Sequence, residues 1–147
     1  MSDDPLYRRE ILRLAADARG AGHLTAPDAS ASAHNPACGD RVTVELALEK
    51  GRIIALAHQT QACVLTQASA ALLAEMAAGQ DREGLARLAS GIRGMLAGGA
   101  VPAPGYAAFD GVAAYPGRHV CVLLPLEAAL RALETPEPGG AGTKRQS

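Results

Sequence analysis

Three cysteines and one aspartate are the residues of this sequence whose types and spacing could do chemistry. Cys38 and Asp40 lie two positions apart in the string NPACGD, residues 35–40, where a turn at the intervening glycine can direct both side chains toward one centre. Three thiolates and one carboxylate suit a tetrahedral zinc site, or a metal-cluster site with one unusual ligand. Because the chain has no CxxC pair, the spacing is not that of a zinc finger.

The other two cysteines follow predicted structural elements that can bring them to the same place. Cys63 follows the second strand of a predicted hairpin, and a hairpin returns the chain to its starting point, near Cys38. Cys121 lies at a predicted helix start, where unpaired N–H groups and the helix dipole favour a thiolate. His119 is a further candidate for the fourth ligand. The alternative interpretation is that the three cysteines are small buried hydrophobic residues.

Composition bounds the kind of protein. A chain of 147 residues suits a single domain, and with aromatic residues at 3% its core must be built from Ala, Leu, Val and Ile. A net charge of −1 excludes a general electrostatic nucleic-acid binder. No apolar run reaches the roughly 18–20 residues of a membrane span, and the acidic start MSDDP is typical of neither a secretory signal nor a transit peptide. An odd number of cysteines then indicates reduced thiols and a cytoplasmic protein.

Two strands are predicted by a period of two. Residues 41–48 alternate, with Val42, Val44 and Leu46 on one face, which is typical of a half-buried strand. Residues 49–51 form a turn, and residues 52–60 form the second strand of an antiparallel hairpin. Residues 20–37, rich in Gly, Ala, Ser and Pro, are predicted to be a loop.

Helical periodicity and capping signals predict the remaining elements. The first helix begins at residues 3–5 and ends near Arg19 and Gly20, and the second follows Cys63 and stops at Gly79. A third runs from the capping Asp81 to residues 98–99. Residues 100–117 are predicted to be a loop with room for one short helical turn. The last helix covers 121–134, with Pro125 in its first turn or breaking it, and residues 135–147 are predicted to be disordered. The order of elements predicts an α+β fold, a small antiparallel β-sheet packed by helices, with a metal site at one end.

These residues carry a resemblance to a known family. The string NPACGD, the hairpin, Ala62-Cys63 before an Ala/Ser-rich helix, and Arg118-His119-Val120-Cys121 together resemble the iron–sulfur cluster scaffolds of the IscU/SufU/NifU N-terminal type, over residues from about 5 to 134. The long interval before the third cysteine, and Arg118 three residues ahead of it, are similar to the SufU branch. The IscU branch has a His where this chain has Val120.

Two departures from the family pattern accompany this resemblance. Ala62 stands where the family usually has a glycine, which narrows the backbone conformations available before Cys63. The loop ahead of the NPACGD string lacks the Pro-Arg-Asn-x-Gly string that SufU-like proteins often carry, a difference that concerns partner docking more than metal binding.

The resemblance implies a domain over residues 1–134 with a defined ligand set. Cys38, Asp40, Cys63 and Cys121 would hold zinc in the isolated protein and a 2Fe–2S cluster transiently. Cys38 would accept sulfur from a cysteine desulfurase, and Arg118 would steer the site or the desulfurase. Apo iron–sulfur proteins would be the clients of a monomer or weak homodimer, with no role for nucleic acid or membrane. Any enzymatic activity would be at most that of a zinc-dependent sulfurtransferase.

Other functions remain open at this point. The same ligands would serve a zinc-dependent sulfur carrier without cluster assembly, or an interaction module with purely structural zinc. A cysteine nucleophile in a small hydrolase or transferase would need a histidine base, and only His119 lies near a cysteine in the sequence.

Overall fold

The computed structural model describes Leu6, residues 8–37 and residues 39–134. Within them the chain forms a three-stranded sheet and a set of helices. In chain order these are α1 (Arg9–Asp17), β1 (Ala29–Asn35), β2 (Asp40–Glu49), β3 (Arg52–Gln61), α2 (Val64–Met76), α3 (Arg82–Leu96), two 3₁₀-helices (Pro104–Ala114 and Pro116–Arg118) and α4 (His119–Glu134). The α+β fold predicted from the sequence is confirmed.

The sheet is antiparallel in the order β1-β2-β3, so β2 is its central strand. Val42, Val44 and Leu46 are fully buried on one face of β2, as the period of two predicted. The hairpin to β3 is also confirmed, and Lys50 and Gly51 close it with positive φ angles of 53° and 79°. One face of the sheet therefore contributes to the hydrophobic core.

The prediction of a loop over residues 20–37 is wrong for Ala29–Asn35, which form strand β1. Ala29 and Ala33 are fully buried beneath α4, while Ser30 and Ser32 face outward. Alanine and serine have weak strand propensities, so the local sequence did not signal the strand. Pairing with β2 and packing against α4 stabilise the strand in spite of its weak propensity. The alternation of alanines on the inward face was the only signal for this strand in the sequence.

The helices cover the inner face of the sheet. α4 packs against β1 and β2, and α2 packs between α1, α4 and β3. Asp81 caps α3 as predicted, because its carboxylate accepts a hydrogen bond from the Gly84 N–H at 2.8 Å. α1 begins at Arg9, and the capping start predicted at residues 3–5 lies outside the described residues, as does the tail predicted at 135–147.

Two further predictions in the C-terminal third are wrong. Residues 104–114 form an eleven-residue 3₁₀-helix instead of a loop with one turn, because Tyr106, Phe109 and Val112 are drawn into the core. Pro125 lies inside α4, neither in its first turn nor at a break. The helix begins earlier than predicted, at His119. Pro125 is buried, and the packing of α4 on the sheet and on α2 offsets the free-energy cost of the hydrogen bond that its missing N–H cannot form. None of the helices formed by the described residues combines the length and the apolar character that a membrane span requires.

Candidate metal centre

Three chain segments meet at one end of the sheet and bring together a carboxylate and two thiols. Asp40 is the first residue of β2, Cys63 lies between β3 and α2, and Cys121 is in the first turn of α4. One carboxylate oxygen and the two Sγ atoms all lie within 4.8 Å of one another. The two described cysteines are both free thiols.

Strand register brings Asp40 and Cys63 to the same edge. Asn35 pairs with Asp40, and the neighbouring Arg41 pairs with Gln61 at the end of β3. The turn between β1 and β2 is closed by the Gly39 N–H, which donates to the Asn35 carbonyl at 2.8 Å. Gly39 has a φ of +79°, which a residue without a Cβ adopts without strain. The predicted turn at this glycine is therefore present.

Cys63 is the N-cap residue of α2. Its Sγ lies 3.5 Å from the Thr66 hydroxyl oxygen, and its carbonyl accepts a hydrogen bond from the Gln67 N–H at 3.0 Å. The Gln67 side chain also donates to the Ala62 carbonyl at 2.8 Å. The segment that presents Cys63 is thus held from both sides of the cysteine.

Cys121 is buried in the first turn of α4, at a helix start as the sequence predicted. The carbonyl of the next residue, Val122, accepts a hydrogen bond from the buried Ser69 hydroxyl of α2 at 2.6 Å. The helix that carries Cys121 is therefore attached to the helix that follows Cys63.

The two thiols share their environment with a cation. A hydrogen bond from Cys121, with others from Thr66 and Arg118, outweighs burial and lowers the pKa of Cys63 to about 5. Hydrogen bonding to Cys63 and burial together raise the pKa of Cys121. Arg118 contacts both sulfurs, and these contacts raise the pKa of its guanidinium. Cys63 is thus the more acidic of the two thiols. With two helix N-termini and Arg118 nearby, the site suits a ligand set of net negative charge.

The cluster opens into a cleft of about 290 Å³. Its lining residues are Asn35, Ala37, Asp40, Cys63, Gly117, Arg118 and Cys121. A larger cleft of about 670 Å³ lies between α1, α2 and the first 3₁₀-helix, but none of its lining residues is a cysteine or histidine. Donor chemistry, and not size, therefore identifies the smaller cleft as the candidate site.

The remaining candidate residues, Cys38 and the histidines, differ in their relation to the site. Cys38 lies outside the described residues, so its role stays a prediction, although Ala37 and Asp40 on either side line the cleft. His119 does not belong to the group of metal-ligating atoms; its Nε2 lies 3.2 Å from the Ala113 carbonyl oxygen. His58 is buried and bonded to protein groups instead.

Thr66 and Ser69 were not among the residues predicted for the site. Both are fully buried, and both contact a segment that carries a cysteine. Their positions three and six residues after the N-cap Cys63 place them on adjacent turns of one helix face. That spacing was the signal that could have identified them.

This fold and site define a class of protein: a small α+β domain that collects thiols and a carboxylate at one end of a three-stranded antiparallel sheet. The chain belongs to the NifU-like N terminal domain family, whose model matches residues 6–102. No curated protein matches it. The resemblance inferred from the NPACGD string and the later cysteines is thereby confirmed.

Two solved structures show the same architecture. The N-terminal NifU-like protein of Brucella abortus, described as nitrogen-fixing, is 31% identical, with a TM-score of 0.84 over 89% of this chain and 94% of that one. A SUF-system protein from Fervidobacterium islandicum, described as an iron–sulfur cluster assembly scaffold, is 23% identical, with a TM-score of 0.80 over 90% of this chain and 99% of that one. The second likeness shows the shared fold.

Proposed function

We propose that this protein acts in iron–sulfur cluster assembly. It accepts sulfur from a cysteine desulfurase and assembles or relays it at a site made of Cys38, Asp40, Cys63 and Cys121. The observation that carries the proposal is the convergence of Asp40, Cys63 and Cys121 within 4.8 Å in a chain of the NifU-like N-terminal family. The description of the Fervidobacterium relative as a scaffold supports it.

The donor set fits zinc and iron alike. Thiolates are the ligands that both metals accept in tetrahedral sites, and Cys38 would complete a set of four. Zinc, when bound, would keep the coordinating thiols deprotonated. Iron and sulfur are substrates of this site, held until they pass to a client protein.

Sulfur acceptance is a thiol–disulfide type of exchange. The Cys38 thiolate attacks the terminal sulfur of the desulfurase persulfide; a new S–S bond forms on Cys38, and the desulfurase cysteine leaves as a thiolate. This step is redox-neutral, and building sulfide from the persulfide needs two further electrons from a thiol reductant or a ferredoxin. Arg118, in contact with Cys63 and Cys121, supplies positive charge where anionic sulfur enters the cleft.

The test measures zinc, iron and acid-labile sulfide in purified protein before and after anaerobic incubation with a cysteine desulfurase, cysteine and ferrous iron. Iron and sulfide that appear together, and transfer to an apo-ferredoxin, identify a scaffold. Persistent zinc with one extra sulfur on Cys38 by mass spectrometry, and no cluster, identifies a zinc-dependent sulfur carrier. Binding of neither metal nor sulfur would refute the proposal.

Variants assign the ligands. Cys63→Ser and Cys121→Ser should each abolish stoichiometric metal binding, because each removes a soft ligand from the cluster. His34→Ala is the control, since His34 is exposed on β1 near the same end of the sheet and outside the cluster. Metal content unchanged in the two serine variants would exclude these cysteines as ligands.

A further inference from the structure

Two buried hydroxyl groups lie beside the metal centre, and the proposed chemistry uses neither. Thr66 and Ser69 are both on α2 and both fully buried. A buried hydroxyl is costly unless it has a hydrogen-bond partner. Each of these two finds its partner in a segment that carries a cysteine of the cluster.

Thr66 acts directly on a sulfur atom. Its hydroxyl oxygen lies 3.5 Å from the Cys63 Sγ. When Cys63 is a thiolate the sulfur has no proton to give, so the Thr66 hydroxyl is the donor. A hydrogen bond to a coordinating sulfur orients it and changes its electron donation to the metal.

Ser69 acts on Cys121 through the backbone of α4. Its hydroxyl donates to the carbonyl of Val122, the residue after Cys121, at 2.6 Å. Pro125 has no N–H, so the Cys121 carbonyl lacks the usual helical donor four residues on. The first turn of α4 is therefore joined less firmly to the rest of its helix, and the bond from Ser69 ties that turn to α2.

We propose that Thr66 and Ser69 are positioning residues of the metal centre, Thr66 orienting the Cys63 sulfur and Ser69 holding the Cys121 turn of α4 in register with α2. This inference rests on the proposed metal-binding function. Each of the two hydroxyls thus has a specific task beyond forming a hydrogen bond inside the core.

The test uses Co²⁺ as the metal probe, with affinity from chelator competition and the thiolate-to-cobalt absorbance band as the spectroscopic signature. Thr66→Val removes the hydroxyl at nearly constant volume; it should weaken Co²⁺ binding about tenfold, within the range for groups that support metal ligands, and shift the band. Thr66→Ser should restore both. Ser69→Ala should weaken binding to a similar degree, and less so in a Pro125→Ala background, where the Cys121 carbonyl regains a donor.

Thr43→Val is the matched control, because it also removes a hydroxyl, one that bonds Ser32 on the sheet at 2.6 Å. It should leave affinity and absorbance unchanged. Circular dichroism and thermal unfolding of the metal-free variants separate positioning from misfolding. If wild-type protein shows the cobalt band and the folded Thr66 and Ser69 variants match it in affinity and spectrum, the inference is overturned while the proposed function stands. If wild-type protein takes up no Co²⁺, both fall.

Discussion

Asp40 contributes the oxygen donor to a candidate ligand group whose other described members, Cys63 and Cys121, offer sulfur. Its carboxylate oxygen lies within 4.8 Å of the sulfurs of Cys63 and Cys121. A carboxylate holds iron in a cluster less firmly than a thiolate does. One weak ligand among strong ones suits a site that must release what it assembles, whereas a permanent electron carrier has four thiolates.

Replacing the Asp40 carboxylate by a thiolate should slow the release of a bound cluster. In Asp40→Cys the fourth donor becomes a thiolate, so we expect transfer of a preassembled cluster to an apo-ferredoxin to slow about tenfold, equivalent to about 1.4 kcal/mol. Transfer is followed by circular dichroism of the ferredoxin. Asp17→Cys adds a thiol on exposed α1 and should transfer at the wild-type rate. Equal rates for Asp40→Cys and wild type would show that the carboxylate does not set cluster lability.

At the scale of the element, the turn before β2 and the turn after it each end in a glycine of the same φ angle. Gly39 and Gly51 both have a φ of +79°, and a Cβ at either would meet nothing within 4 Å. They lie at opposite ends of β2. An alanine at either position would therefore clash with no neighbouring atom, and its cost in free energy would come from the positive φ alone and be equal in the two turns. Only the turn that contains Gly39 adjoins the candidate metal centre.

Alanine substitution should separate stability from metal binding. Gly39→Ala and Gly51→Ala should each lower the free energy of unfolding by about 1–2 kcal/mol, the cost of a left-handed conformation for a residue with a Cβ, measured by urea titration. Only Gly39→Ala should also weaken Zn²⁺ binding in chelator competition. Equal zinc affinities in the two variants would mean that the turn conformation does not position the ligands.

A buried histidine joins the segment after α1 to β3. The Nε2 of His58 donates to the Arg19 carbonyl at 2.9 Å, and its Nδ1 accepts from the Thr60 hydroxyl at 2.8 Å. Its backbone N–H donates to the Gly20 carbonyl, and its carbonyl accepts from the Gly22 N–H. Burial lowers the pKa of His58 below 6.5, because the charged ring would be desolvated.

The lowered pKa makes stability depend on pH. The native state favours neutral His58, so this contribution is fully present above the unfolded pKa of 6.5 and is lost as pH falls through it toward the native pKa. Between about pH 7.5 and about pH 5.5, His58→Gln should show a smaller loss of unfolding free energy than wild type, by about 1 kcal/mol. Glu45, whose burial would raise its pKa but whose hydrogen bonds from Leu24 and His23 lower it, titrates below this window. Identical pH dependence in the two proteins would count against a neutral buried His58.

At the scale of the whole molecule, most of the core lies outside the candidate metal centre. The sheet and four helices bury a continuous set of aliphatic side chains, with Val44 on β2, Leu73 on α2 and Leu126 on α4 among them. Among the described residues of the cluster, Cys121 belongs to this core and Cys63 packs against it. A metal ion therefore adds a link between β2, α2 and α4 to a fold that already has its own hydrophobic stabilisation.

Metal removal should consequently leave the chain folded. Chelator-treated protein should keep its far-UV circular dichroism, and free Zn²⁺ at about 100 times its Kd should stabilise it by about 2.7 kcal/mol, raising Tm by about 5–10 °C. Cys63→Ser should lose that increase. Unfolding on chelation would instead indicate a structural zinc site.

Local patterns were enough to predict several elements of this protein. The alternation of Val42, Val44 and Leu46 predicted β2, and Asp81 predicted the start of α3, because strand periodicity and helix capping act over a few residues. The string NPACGD with Cys63 and Cys121 predicted the family and the place of the site. Their types and order lie in the sequence itself.

Where local signals were weak, packing in the folded chain determined the structure. The alanines of β1 become a strand because β2 and α4 cover them, and Pro125 stays inside α4 because packing offsets its missing hydrogen bond. Likewise, the spacing of Thr66 and Ser69 after Cys63 placed them on one helix face, but helix packing decided that Ser69 would contact the segment of Cys121. Contacts between residues far apart in the chain depend on sheet register and helix packing. The free energy of these arrangements is a property of the whole fold and not of any one segment.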